Sequence, residues 1–377
     1  MKIGYDGKRA VQNYTGLGNY SRLVIDTLAK YYPDNEYLLY APRDRENPRL
    51  KPVLKHPNVR LVLPDTSFGR RLSSLWRVEG VTAQTRRDGV ELFHGLSGEL
   101  PFNIRKGGYP SVVTIHDLIF NRYPEYYAAI DRKIYDYKFR KACENATRII
   151  AISECTKRDV MAMYGTPAEK IDVVYQGCHE SFGYPVDPAV AQHVRLAYEL
   201  PERYILTVGT VESRKNQLLA VKALGQLPKD VKLYIVGGKT DYAKEIEQYI
   251  DAHGLSGRVR WLQGIPFDHL PALYHMAALS SYTSRFEGFG IPVIESISAG
   301  TPVIACTGSV LEEAGGPGAV YIDPDDVDAF AHAVMRMMDD AVYRASLVDA
   351  GQEYIRRFTH ENMASEIMNV YQSALNG

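Results

Sequence analysis

Cysteine is scarce in this chain, with four residues among 377. Cys143, Cys155, Cys178 and Cys306 share no C-x-x-C spacing and pair with no nearby histidine motif. Reduced thiols are therefore expected rather than a disulfide framework or a zinc site. Long apolar runs are missing as well. None reaches 18 residues, and the opening stretch MKIGYDGKRAV has no apolar h-region, so neither a membrane-spanning helix nor a secretory signal is expected. Short repeats and low-complexity tracts are absent. Net charge is only −1, and no nucleic-acid partner is expected.

That small net charge conceals an asymmetry. Residues 1–180 carry 28 Lys and Arg against 21 Asp and Glu, a balance of +7, and the remainder carries 16 against 24, a balance of −8. Halves of opposite sign point to different partners, with anionic membrane lipid or a phosphate-bearing acceptor suiting the first. In particular, the segment from Phe68 to Arg87 sets Arg70, Arg71, Arg77, Arg86 and Arg87 near Leu72, Leu75 and Trp76, as a membrane-surface footprint would. Apolar content of 45% and charged content of 24% are those of an ordinary soluble protein. The length exceeds one comfortable hydrophobic core, so two domains are expected.

Short apolar runs alternate with helical patterns throughout, the signature of an α/β chain with parallel sheets. Strands are expected at residues 2–5, 37–40, 59–63, 92–94, 111–115, 149–152 and 171–175. After a connection at 176–202, rich in glycine and proline, they resume at 204–208, 232–236, 259–262, 279–282, 302–305 and 320–322. Helices are expected at 18–31 and 131–146. This pattern predicts two doubly wound, Rossmann-like domains facing across a ligand cleft. Residues 1–185 form the first and 186–357 the second. The closing segment has helical periodicity, with Met363, Ile367, Val370 and Tyr371 on one side.

The densest chemistry lies in TSRFEGFGIPVIESISAGTPV, residues 283–303. Two carboxylates, Glu287 and Glu295, flank a Gly-Phe-Gly-Ile-Pro loop. Pro292 suits the first turn of a helix, and Gly300 suits its end. Glu287 and the amides of Phe289 and Gly290 then lie at a helix N-terminus, with Glu295 in the first turn pointing back toward them. Arg214-Lys215-Asn216 follows the strand at 204–208. Two adjacent cations at a strand-to-helix junction are placed to neutralise a diphosphate. His116 and Asp117 follow the strand at 111–115, the end at which such sheets bind ligands. Gly16 and Gly18 open a helix, but the position of a third glycine is Ser21 and no acidic residue ends the second strand, so NAD is disfavoured.

In order along the chain, these segments resemble the GT4 family of glycosyltransferases, which adopt the GT-B fold. E-x7-E at Glu287 and Glu295 is the most specific match. Gly209 to Asn216 is similar to the family's G-x-x-x-x-R-K-N segment, although Thr210 stands where many members have arginine. T-I-H-D-L-I-F around His116, the Gly16–Gly18 loop, the strand-turn ending in Gly264-Ile265 and Leu270, Tyr274 and Ala277 also fit.

The resemblance implies a retaining transferase that moves a sugar from a nucleotide donor to a glycan or lipid-linked acceptor. Mannose from GDP-mannose is the first expectation and a UDP-sugar the alternative. It further implies that Arg214 and Lys215 take the diphosphate and Glu295 the ribose. Glu287, Phe289, Gly290 and His116 would hold the sugar, Gly264 and Ile265 would read the base, and Gly16 and Gly18 would approach donor phosphate and acceptor. In the GT-B fold the last helix, here 358–377, crosses back onto the first domain. No cofactor is expected beyond the donor itself. Asp323-Pro324-Asp325 has D-x-D spacing but reads as a strand end, so metal independence is expected. A nucleotide-sugar epimerase would share the fold, but the R-K-N match argues against it. A non-catalytic scaffold would have lost the polar residues that are present here. The expected location is the cytoplasm, with a peripheral position at the inner face of the membrane open to the basic first half.

Overall fold

The computed structural model describes all 377 residues apart from the side chain of Phe68. The chain divides into two compact units, Met1–Tyr175 with His360–Gly377, and Gln176–Thr359.

In the first unit seven strands form one sheet: β1 (Lys2–Asp6), β2 (Glu36–Tyr40), β3 (Val59–Val62), β4 (Leu92–Gly95), β5 (Ser111–Ile115), β6 (Arg148–Ala151) and β7 (Ile171–Val173). Their order is β3-β2-β1-β4-β5-β6-β7, with every pair parallel. The second unit has β8 (Tyr204–Val208), β9 (Lys232–Val236), β10 (Val259–Leu262), β11 (Leu279–Tyr282), β12 (Val303–Cys306) and β13 (Ala319–Ile322), ordered β10-β9-β8-β11-β12-β13 and again all parallel. Helices cover both faces of such sheets, so their central strands read as unbroken apolar runs. Ser111–Ile115 is buried at all five positions and Leu279–Tyr282 at all four. In both sheets the chain reverses direction beside the first strand, between β1 and β4 and between β8 and β11. Ligands bind at the carboxyl ends of strands at such a switch point.

The junction between the units lies nearer the N-terminus than residue 185. Residues 176–186 pack on the second unit because Phe182 is fully buried there, its ring 5.6 Å from Tyr274 and 5.9 Å from Phe267. The Phe182 carbonyl also accepts from His275 at 3.1 Å. Phe358 likewise stays with the second unit, edge-on to Phe289 at 5.4 Å.

The final helix, His360–Asn376, belongs to the first unit and buries Met363, Ile367, Val370 and Tyr371. Tyr371 places its hydroxyl 2.7 Å from His94 Nδ1 and 3.1 Å from the Tyr5 hydroxyl, all fully buried. His94 Nε2 meets Thr114 Oγ1 at 2.8 Å. Burial above all, with the neighbouring His116 as a smaller cause, pushes the His94 imidazole down to about 3, so the ring is neutral. Tyr371→Phe leaves partners on two strands unsatisfied. It is expected to cost about 1–3 kcal/mol, read as a lower urea midpoint with unchanged slope.

Candidate active site

The switch point of the second sheet gathers three of the expected residues. The turn after β8 carries Glu212, then a single 3-10 turn, Ser213–Lys215. Asn216 adopts the left-handed conformation, φ 51°, and starts the helix Gln217–Ala223. Gly237 permits this turn to sit where it does. Its φ is +157°, and a Cβ there would fall 2.0 Å from the Gly209 carbonyl oxygen. The loop after β11 carries Thr283 to Gly290. The two loops are tied by the Arg285 amide donating to the Arg214 carbonyl at 2.9 Å and by Thr283 Oγ1 donating to the Lys215 carbonyl at 2.9 Å.

Within that frame Glu287 lies between two cations. Oε2 meets Arg214 Nη1 at 2.8 Å and Oε1 meets Lys215 Nζ at 3.4 Å. Oε1 also accepts from the hydroxyls of Tyr282 at 2.9 Å and Ser284 at 2.8 Å. Glu212 holds the other arm of Arg214 at 2.6 Å, and the Lys215 ammonium donates to the Tyr282 hydroxyl at 3.0 Å. The side chains of Glu287, Arg214 and Lys215 are only 13%, 16% and 14% exposed. Burial alone would raise the Glu287 carboxyl, but Lys215 and Arg214 override it and hold the group down at about 2. The same burial, with Glu287 adding to it, pushes the Tyr282 phenol up to about 12. Two carboxylates therefore already compensate the two cations before any ligand arrives.

Glu295 has a different environment. The helix runs Ile291–Ser298 from Gly290, φ +142°, so Glu295 falls just past the first turn rather than within it. Its Oε2 accepts from the Tyr274 hydroxyl at 3.1 Å. Burial pushes its carboxyl up to about 7, against the smaller downward pull of that hydrogen bond and of Lys215. Phe289 anchors the loop by burying its ring against Phe358. Gly264, φ +65°, and Ile265 follow β10 at the sheet edge. Ile265 packs on the apolar cluster that contains Tyr274. Asp325 is engaged in an ion pair with Arg285, and Asp323 accepts from the Asp325 amide at 2.8 Å.

In the first unit His116 lies at the end of β5, with Nε2 2.9 Å from the Leu96 carbonyl. A carbonyl only accepts, so Nε2 carries the proton and Nδ1 is an acceptor. Burial pushes the imidazole down to about 4, with the Arg9 charge adding to the effect. The Tyr20 ring meets His116 edge-on at 4.5 Å, which links His116 to the helix that Gly16 and Gly18 open. Gly18 has no room for a side chain, since a Cβ would fall 2.1 Å from the Asn13 carbonyl oxygen. Its amide already donates to Asn13 Oδ1 at 3.2 Å, so Asn13 closes this loop on itself. Arg22 secures it with bonds of 2.8 Å to the carbonyls of Ala10 and Asn13.

One reading of the basic segment is overturned. Trp76 and Arg77 turn inward: the indole donates to Gln84 at 3.0 Å, and Arg77 binds both Asp6, at the end of β1, and Glu99, beyond β4. Arg70, Arg71, Leu72 and Leu75 remain exposed. The Phe68 side chain lies outside the described residues. Sequence reasoning also missed Glu212, Tyr282 and Asn13. Of these only Glu212 left a signal, two residues before the Arg-Lys pair.

Two parallel sheets of this order, each followed by a polar site at its switch point, define the GT-B class of glycosyltransferase fold. A solved structure of Anabaena HepE in complex with UDP and glucose superposes with a TM-score of 0.77 at 22% identity, covering 99% of this chain and 100% of that one. Family models described as "Glycosyltransferase Family 4" and "Glycosyl transferases group 1" match residues 16–182 and 191–354. The chain belongs to this glycosyltransferase family. It is 27% identical over 286 residues to O-antigen chain mannosyltransferase B of Escherichia coli, covering 74% of each chain. It is 27% identical over 259 residues to O-antigen chain mannosyltransferase RfbU of Salmonella typhimurium, covering 68% of each.

The contrast between the two glutamates has a measurable consequence. Glu295 titrates near 7 when folded and near 4.3 when unfolded. The native state therefore holds a proton that the unfolded chain releases. The resulting stabilisation is full below the unfolded value and lost as pH rises through 7. Glu295→Gln keeps an acceptor for Tyr274 and is expected to melt above the parent at pH 8 and level with it at pH 4. Glu287→Gln, which strips the compensating charge from two buried cations, is expected to melt lower at neutral pH. The two thermal scans check both signs.

Proposed function

We propose that this glycosyltransferase is a retaining, metal-independent enzyme that transfers mannose from GDP-mannose to a glycan or lipid-linked saccharide. The observation that carries this reading is the Arg214–Lys215–Glu287 cluster at the carboxyl ends of β8 and β11. A departing nucleoside diphosphate accumulates negative charge, and stabilising that charge is the main chemical demand of the reaction. Lys215 has three N–H donors and two partners, and the Nε of Arg214 is left over from its contacts with Glu212, Glu287 and the Phe286 carbonyl. Each cation thus keeps a donor for a phosphate oxygen. Glu287 aims both and retains acceptor capacity at Oε2 for a sugar hydroxyl. His116 accepts a sugar hydroxyl at Nδ1. Glu295, once ionised, accepts from ribose.

Retention is assigned to front-face attack, with the leaving phosphate taking the acceptor proton. The mannosyltransferase relatives support mannose, and a UDP-sugar is the alternative donor. Engagement of Asp325 by Arg285 supports metal independence. A peripheral position on anionic membrane is open to the exposed Arg70, Arg71, Leu72 and Leu75, without Trp76 or Arg77.

Transfer from GDP-mannose to a saccharide acceptor in excess EDTA, with the product anomer read by NMR, is the test. Hydrolysis-free turnover with a retained anomer is expected. Activity that EDTA abolishes and Mg²⁺ restores, or an inverted product, overturns the reading. Lys215→Ala is expected to lower kcat by about 10²-fold. Glu295→Ala is expected to weaken GDP binding by about 1.5–3 kcal/mol, most clearly at pH 8 where the parent carboxylate is ionised. Vesicle co-sedimentation at low salt checks the membrane reading, which fails if the protein stays in the supernatant.

A further inference from the structure

The switch point of the first sheet has more positive charge than its own carboxylates can compensate. Arg77 takes both carboxylates in reach: Nε lies 3.1 and 3.0 Å from the two Asp6 oxygens, and Nη1 lies 2.8 Å from Glu99 Oε2. Lys138 shares Glu99 at 3.4 Å. Lys8 and Arg9, which follow β1 after Gly7, are both half-buried, and among the described residues no ion pair reaches either side chain. Arg9 Nε is a buried donor with no hydrogen-bond partner. The group therefore sets four cations against two carboxylates.

A half-buried guanidinium is ordinarily paired, because removing it from water without a counter-charge is costly. The Lys8 ammonium feels the deficit too: burial lowers it, and Arg77 and Arg9 lower it further against the opposing pull of Glu99 and Asp6. His116 stands close enough for the Arg9 charge to act on it, and its neutral ring adds no cation. Two donors without carboxylates thus lie at the strand ends where such a sheet receives a ligand.

We propose that Lys8 and Arg9 form an oxyanion subsite in the first unit, at the carboxyl ends of β1, β4 and β5, that takes a phosphate or diphosphate group. The fork of Arg9 supplies the directed N–H bonds such a group accepts, and Lys8 supplies a second charge. The source of the oxyanion rests on the glycosyltransferase reading, which offers two: the diphosphate of the donor and a phosphate carried by the acceptor.

Calorimetric titration with inorganic pyrophosphate tests the subsite without turnover. In a Lys215→Ala background, which removes one cation of the second unit's cluster, adding Lys8→Gln and Arg9→Gln is expected to weaken the remaining pyrophosphate binding tenfold or more. Identical residual affinity with and without the pair overturns the subsite. Arg9→Gln alone, having lost no partner, is expected to melt no lower than the parent in the absence of ligand. A marked drop shows a structural role and counts against the proposal. In otherwise unaltered enzyme, a raised KM for nucleotide sugar alone assigns the oxyanion to the donor, and a raised KM for acceptor alone assigns it to the acceptor. Both KM values unchanged overturns the proposal. Because the titration needs no acceptor, its outcome stands even if transfer from GDP-mannose fails.

Discussion

A carboxylate between two cations is the constraint on which the second unit's site depends. Glu287, Arg214 and Lys215 are each largely removed from water, at a cost of several kcal/mol per ion unless they compensate one another. Compensation requires the loops after β8 and β11 to stay in register. Backbone links from Arg285 to Arg214 and from Thr283 to Lys215 provide that register. The site is consequently rigid before any ligand binds, as preorganised charge stabilisation requires. The orientation of both cations is set from within the fold, by Glu212 and Glu287, rather than by solvent.

The two glutamates of the E-x7-E segment are close in sequence but sit in opposed surroundings. Glu287 is ionised at any working pH because positive charge surrounds it. Glu295 titrates near neutrality because burial outweighs its one hydroxyl donor. Carboxylates whose environments drive them apart in this way take on separate tasks. One is a permanent structural anion. The other becomes a full acceptor only when pH, or a neighbouring donor, favours its ionised form.

Strands were legible because parallel strands buried on both faces must be apolar almost throughout, as Ser111–Ile115 and Tyr204–Val208 are. The identities of the paired carboxylates and the Arg-Lys pair were legible as local patterns at strand ends. Their mutual contact was not, since it joins loops about 70 residues apart. Tyr282 read as a strand residue, and nothing local reveals that its hydroxyl serves both Lys215 and Glu287. Arg77 read as one of a row of surface cations, because the carboxylates that draw it inward, Asp6 and Glu99, lie far off in sequence. The domain junction was misplaced for a similar reason. Glycine and proline mark where the chain turns, whereas Phe182 decides which unit the connection packs on.

Tyr371 supplies hydrogen-bond partners to Tyr5 and His94, yet it follows them by hundreds of residues. On the ribosome, the first unit's sheet is synthesised long before the helix His360–Asn376 emerges. Until then two buried polar side chains lack their partner, and the apolar surface that Ile367 and Met368 cover lies open. The second unit is continuous in sequence, Gln176–Thr359, so all the residues of its own core precede that helix. Vectorial synthesis thus favours the later-made unit reaching its native state first, with the earlier-made one waiting, exposed to chaperones, for its closing helix.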